Sequence, residues 1–162
     1  MKKFEVAGLV KMVLVISIVV ISVVVIWKQN TIEEAEEAYT AFTNQSFVTV
    51  DVQTSKMRTT DTYVIEDKAQ IDSLMKSLKD IKRNYSTIEQ FRLDEDIVYY
   101  LKFHKSSNLK VDSLQLDRLS IYGGNMMDLK VYDYSRDEYS TYRFEVQWDL
   151  DELNDLLIDS SL

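Results

Sequence analysis

From Met12 to Trp27 the chain reads MVLVISIVVISVVVIW, an uncharged run in which only Ser17 and Ser22 carry polar side chains. A helix that is apolar on every side has no polar face to turn to water. At about 1.5 Å per residue the run covers roughly 24 Å, and Val6 to Val10 extends it toward the ~30 Å hydrocarbon core if Lys11 snorkels to the headgroups. The pattern predicts a single-pass transmembrane helix in residues 1–28 that acts as a signal anchor, with the lipid bilayer contacted through Met12 to Trp27. A cleaved signal peptide is the competing reading, but it requires a small-x-small site. Trp27-Lys28-Gln29-Asn30 follows the run, and Ala35 and Ala38 have the wrong spacing.

The period then becomes that of an amphipathic helix. Thr31-Ile32-Glu33-Glu34 has the spacing of a capping box, and Ile32, Ala35, Tyr39 and Phe42 recur at helical intervals among glutamates. Residues 29–45 are expected to form an acidic helical stalk, either continuous with the membrane helix or hinged at Gln29 to Thr31, where neither glycine nor proline intervenes. An ordinary solvated helix packed on its own domain is the plainer alternative.

From Phe47 the apolar positions alternate. Val48, Val50 and Val52 form one strand, and Thr62 to Glu66 a second, with the polar stretch Ser55 to Asp61 between them. Asp67 caps a helix whose stripe is Ile71, Leu74, Met75, Leu78 and Ile81. Tyr85 to Asp96 reads as a connection. Ile97, Tyr99, Leu101 and Phe103 then mark a strand with both faces partly covered. Gly123-Gly124 is expected to supply positive φ angles for a hairpin between Leu119 to Tyr122 and Met127 to Tyr134. Ser135 to Glu138 turns the chain again, Tyr142, Phe144, Val146 and Trp148 face inward, and Asp149 with Glu152 caps a closing helix. Short turns and the lack of repeated crossover helices predict an α+β domain over 46–162, a mostly antiparallel β-sheet with two or three helices packed on one face.

Charge narrows the class of partner. Of 19 basic and 27 acidic residues, Lys2, Lys3, Lys11, Lys28 and Glu5 lie at the N-terminal end, leaving 15 basic and 26 acidic from Thr31 onward, or −11. Such a domain repels nucleic acid, and no nucleic-acid partner is expected. The excess of lysine before the span predicts an N-terminus in the cytoplasm and a C-terminal domain outside the cell membrane. No cysteine is present, so disulfides and cysteine-metal sites are excluded.

Candidate chemistry is sparse. His104 is the single histidine, and a carboxylate beside it would make it a general base, yet it shares a strand face with Lys102 and has no nucleophile motif. Surface exposure is the expectation. The acidic clusters Glu33 to Glu37, Asp94 to Asp96 and Asp149 to Asp155 lack calcium-loop spacing, and the last is explained by helix capping. No catalytic residue, metal ligand or cofactor is assigned. The distinctive residue type is tyrosine, with ten in the chain. Strand phase places Tyr100, Tyr122, Tyr132 and Tyr134 opposite the Leu129 and Val131 core face, and with Lys102 and Lys130 they make a candidate binding face. Cross-strand tyrosines also stabilise the solvent face of ordinary sheets, which is the plainer account.

Thr62 to Leu157, with TYVIEDKAQIDSLMKSLKDI, DIVYYLKF, LSIYGG and YRFEVQWDLDELNDLL, resembles small extracytoplasmic domains of unknown function found in Gram-positive bacteria. The resemblance implies a strand-helix opening, a tyrosine-bearing hairpin and an extracytoplasmic location, and it brings no activity with it. The expected function is a membrane-anchored, non-enzymatic binding or interaction domain whose partner is an envelope protein or cell-wall polymer. The alternatives are a membrane-tethered hydrolase using dispersed carboxylates and an inhibitor or immunity-type protein.

Overall fold

The structure, a computed structural model, describes residues 2–56, 59–86, 97–105, 116–123, 125–133, 136–147, 153 and 155–157. The chain forms two units, Met1–Glu36 and Glu37–Leu162.

A single helix, α1, runs from Lys2 to Thr43. The capping box at Thr31 does not start a new helix. The Thr31 hydroxyl instead donates to the Trp27 carbonyl one turn back at 2.9 Å, as Ser22 does to Ile18. A threonine satisfied within its own helix has no need of a cap, and without glycine or proline nothing breaks the backbone ladder. Large apolar side chains from Val10 to Trp27 are all more than half exposed, and among the described residues this is the one helix long and apolar enough to cross a membrane.

The second unit is α+β. Its strands are β1 (Thr49–Lys56), β2 (Thr59–Ile65), β3 (Arg83–Tyr85), β4 (Ile97–His104), β5 (Asp117–Tyr122), β6 (Met126–Asp133) and β7 (Glu138–Val146), and α2 (Lys68–Asp80) lies between β2 and β3. They form one seven-stranded sheet in the order β2-β1-β4-β5-β6-β7-β3, antiparallel at every described pairing. β4 to β7 are a meander, the β1-β2 hairpin joins one side of it and β3 the other, so α2 connects the two edge strands.

Asp67 caps α2 by accepting the Gln70 N–H at 2.8 Å, and Ile71, Leu74, Met75 and Leu78 form its buried stripe. Ile81 is the extended C-cap and only half-buried, so the stripe ends one turn earlier than its spacing suggests. The sheet meets these helices with Val50, Val52, Leu101, Phe103, Leu119, Ile121, Leu129 and Phe144, all essentially inaccessible to solvent. The last turns of α1 complete the core: Phe42 packs edge-on against Phe103 at 4.9 Å, Tyr39 against Phe144 at 5.2 Å, and the Tyr39 hydroxyl donates to the Leu78 carbonyl at 2.7 Å. The compact unit therefore opens at Glu37, ahead of residue 46. Helical residues near the C-terminus add Leu153 and Leu157, and Gln70 Nε2 donates to the Leu156 carbonyl at 2.7 Å.

Three local expectations change. Ser55 to Asp61 is not a loop, because β1 and β2 continue until Lys56 faces Thr59; the threonines at 59, 60 and 62 favour extended backbone. Tyr85 does not begin a connection but closes β3, whose Arg83, Asn84 and Tyr85 pair with Val146, Glu145 and Phe144 of β7. At the β5-β6 turn the described left-handed residue is Asn125, at φ 60, and Gly123 has no positive φ. Asparagine tolerates that region, and the Asn125 carbonyl is held there by the Val146 N–H at 2.8 Å. Gly124, Trp148, Asp149 and Glu152 lie outside the described residues.

Candidate binding face

The side of the sheet opposite the core is set by strand register. Lys102 of β4 faces Arg118 of β5, and Arg118 faces Lys130 of β6, so three cations form one row across adjacent strands. Asp51 of β1 stands at one end of this row and Thr141 of β7 at the other. Each alternates with a buried leucine, Leu101, Leu119 or Leu129, which fixes the direction of all three cationic side chains.

Tyrosine rings stand beside the cations. Lys102 Nζ lies 5.6 Å from the Tyr100 ring centroid, while Lys130 Nζ and Arg118 Cζ lie 4.9 Å and 5.3 Å from that of Tyr139. Tyr132 faces Tyr139 across β6 and β7, with ring centroids 5.1 Å apart at 72°. The Tyr132 hydroxyl donates to Asp137, a residue held at φ 57 in the β6-β7 turn. All six side chains are partly exposed. Among the described residues no carboxylate makes an ion pair with Lys102, Arg118 or Lys130, and Arg118 Nε has no acceptor.

Of the residues expected on this face, Lys102 and Lys130 share the row, with Tyr100 on one side of it along β4 and Tyr132 on the other along β6. Tyr122 shares the face but belongs to a separate cluster at the other end of β5. Its hydroxyl donates to Asp128 Oδ2 at 3.1 Å, and Asp128 takes a bidentate contact from Arg143, Nε and Nη2 both at 2.6 Å. Burial, then the Asp128 charge, push the Tyr122 phenol above its usual range, and the hydrogen-bonded Asp128 carboxylate raises Arg143 further above its own. Tyr134 lies outside the described residues. Arg118 and Tyr139 complete the face without having been expected there. The signal was present: Arg118 is out of phase with Leu119 and Ile121, and Tyr139 with Tyr142 and Phe144.

His104 is buried, not exposed. Its side chain retains 6% of its accessibility, with Nε2 3.0 Å from Asp51 Oδ2. The Asp51 carboxylate makes that burial tolerable, since a polar ring withdrawn from water needs a partner. A carboxylate-oriented imidazole is half of a general-base arrangement, but Nδ1 is closed off from solvent without a partner, so neither nitrogen faces a ligand. Asp117 is also buried: its Oδ2 pairs with Lys105 Nζ at 3.0 Å and its Oδ1 accepts the Tyr132 N–H at 3.3 Å, which fastens β5 beneath the tyrosine pair. Among the described residues no group of three or more His, Asp or Glu side chains could hold a metal ion. Asp94 to Asp96 lie outside the described residues.

Tyr63, on the core side of β2, has a phenol pushed up to about 12, first by burial and then by Tyr99. Its hydroxyl has no hydrogen-bond partner among the described residues. A phenol that resists ionisation in the folded state contributes stability that is intact below the unfolded value near pH 10 and lost as the pH rises through 12. Ultraviolet titration of the folded protein is expected to show a late-ionising phenol that Tyr63→Phe removes, with no loss of neutral-pH stability because no hydrogen bond is broken. A Tyr63→Phe melting temperature well below that of the parent would show that the hydroxyl is partnered after all.

No protein-family model matches the chain, and neither a curated protein nor a solved structure matches it.

Proposed function

We propose that this chain is a single-pass membrane protein with a cytoplasmic N-terminus and an extracytoplasmic, non-enzymatic binding domain, whose ligand sits on the face formed by Tyr100, Lys102, Arg118, Lys130, Tyr132 and Tyr139. The observation that carries the reading is the cation row. Like charges placed directly opposite on neighbouring strands destabilise a sheet, and an ordinary solvent face alternates or disperses them. Here three adjoin with no ion pair to a carboxylate among the described residues, the Asp51 carboxylate opposite Lys102 being engaged by His104, and tyrosines that offer contact area and a polar tip at small entropic cost flank them. A surface arranged in this way is suited to an external partner.

Location has separate support. The exposed apolar helix from Val10 to Trp27 is costly in water, and the lysine bias orients it with residues beyond Trp27 outside. Protease added to intact, wall-stripped cells is expected to digest the domain, leaving a membrane-embedded fragment that still carries Met1. Protection of the domain, or a mature chain that starts beyond Asn30, would overturn the topology. A photo-crosslinking residue at position 141, exposed and opposite Lys130 at the β7 end of the row, is expected to capture envelope material in intact cells, and Tyr132→Ser with Tyr139→Ser is expected to abolish that capture without unfolding the protein. Unchanged capture would exclude this face.

A further inference from the structure

The cation row defines the chemical class of the ligand. We infer that the face binds an extended, phosphate-bearing polymer, a phosphodiester chain lying across β4, β5 and β6; this rests on the binding reading above.

Geometry comes first. Neighbouring strands lie about 4.8 Å apart, so Lys102, Arg118 and Lys130 project from backbone positions spread over about 10 Å along a line perpendicular to the strands. Their order is fixed by register, Lys102 opposite Arg118 and Arg118 opposite Lys130. A straight line of equal charges on a sheet face matches a linear ligand with a repeating anion better than a compact one with a single anion.

Charge comes second. The chain from Thr31 onward carries −11, so polyanions are repelled at a distance. Screening confines that repulsion to about 8 Å at physiological ionic strength, so a chain in contact with the row meets the three cations and, at the β1 end, Asp51, whose carboxylate is engaged by His104. Net charge thus opposes a polyanion at a distance while this strip attracts it at contact, which favours selectivity for a defined place.

The chemistry of the donors comes third. Arg118 lies with its guanidinium against the Tyr139 ring and makes no ion pair with a carboxylate among the described residues; its Nε is closed off from solvent, which leaves the terminal amino groups of the guanidinium as the donors for a ligand. A planar donor fork suits phosphate oxygens, two flanking lysines supply point charges, and a phosphodiester keeps its charge at any physiological pH. Tyr100 and Tyr139 contribute rings against which the uncharged links between phosphates can lie.

The test uses the full chain in lipid nanodiscs made of zwitterionic lipid, with a synthetic oligomer of glycerol phosphate as the probe and polyglutamate of matched charge and anionic-lipid vesicles as comparisons. Binding of the phosphodiester is expected, weakening with added salt. Combined Lys102→Gln, Arg118→Gln and Lys130→Gln substitutions are expected to lower affinity roughly 30-fold, while Lys102→Arg with Lys130→Arg retains it. The melting temperature of the triple variant is expected to stay level or rise, because like-charge crowding is relieved. That readout separates a ligand role from a structural one. Equal affinity for polyglutamate, binding only to anionic vesicles, or an unchanged affinity in the triple variant would overturn the phosphodiester proposal. If crosslinked capture in cells survives the triple variant but fails in Tyr132→Ser with Tyr139→Ser, the face binds something other than a polyanion. If both variants keep full capture, the face itself is excluded.

Discussion

A chain that starts at Ser46 is expected to remain unfolded, whereas one that starts at Glu37 is expected to melt cooperatively. The difference lies in two aromatic residues on the last turns of α1. Tyr39 and Phe42 are completely buried in the second unit, where Tyr39 is sandwiched between the Phe144 edge and the Arg83 guanidinium, 3.9 Å from its ring centroid. Phe42 contacts Phe103 and, at 5.5 Å, Phe47. Removing a buried large aromatic side chain costs about 3–5 kcal/mol, and two of them approach the ~5–15 kcal/mol by which a domain is stable at all. The last turns of α1, from Glu37 onward, are therefore part of the folding unit. Circular dichroism melts of the two chains decide the matter, and a cooperative transition at similar temperature in the chain from Ser46 would refute it.

Asp128→Ala is expected to destabilise the domain by about 3 kcal/mol, and the double change Asp128→Ala with Arg143→Met to recover most of that loss. The Asp128 side chain is only 12% exposed, and it satisfies both Arg143 and the Tyr122 hydroxyl. Deleting it leaves a guanidinium, 27% exposed, between two strands without its anion. A partly desolvated cation that loses a bidentate carboxylate costs more than the ion pair is worth, which is why an apolar replacement for the cation restores stability. Urea denaturation of the three proteins measures the terms. Additive losses in the double variant would show that the pair acts through packing instead of charge.

Both predictions depend on features with different visibility in the sequence. α2 and β4 to β7 were legible because their apolar positions keep one period over a full element: Ile71, Leu74, Met75 and Leu78 for the helix, and Tyr99, Leu101 and Phe103 for a strand. β3 was not, since three residues cannot show an alternation, and its existence depends on the partner Phe144 brought close by the fold. The threonine at 31 carried a valid local signal that longer-range helix propagation overrode. His104 illustrates a different limit. Nothing in the local pattern reveals that Asp51, on another strand, is placed to satisfy it. For the candidate face, alternation placed Tyr100, Lys102, Lys130 and Tyr132 on the correct side, but only register revealed that Lys102 and Lys130 are separated by Arg118 and joined into one row. Tyr122, equally in phase, is occupied by Asp128, a fact of distance along the strand that periodicity does not encode.

Residues 66–82 leave the sheet at β2 and rejoin it at β3, its opposite margins. Seven strands span about 29 Å from first to last, and a thirteen-residue helix covers about 20 Å of that width. The segment thus acts as a clasp fastened at both borders. Peeling either outermost strand pulls on α2, whose stripe is pressed into the interior, so fraying that would start cheaply in a free margin is charged against the whole core. Margins tethered in this manner open only together with the interior they are fastened over.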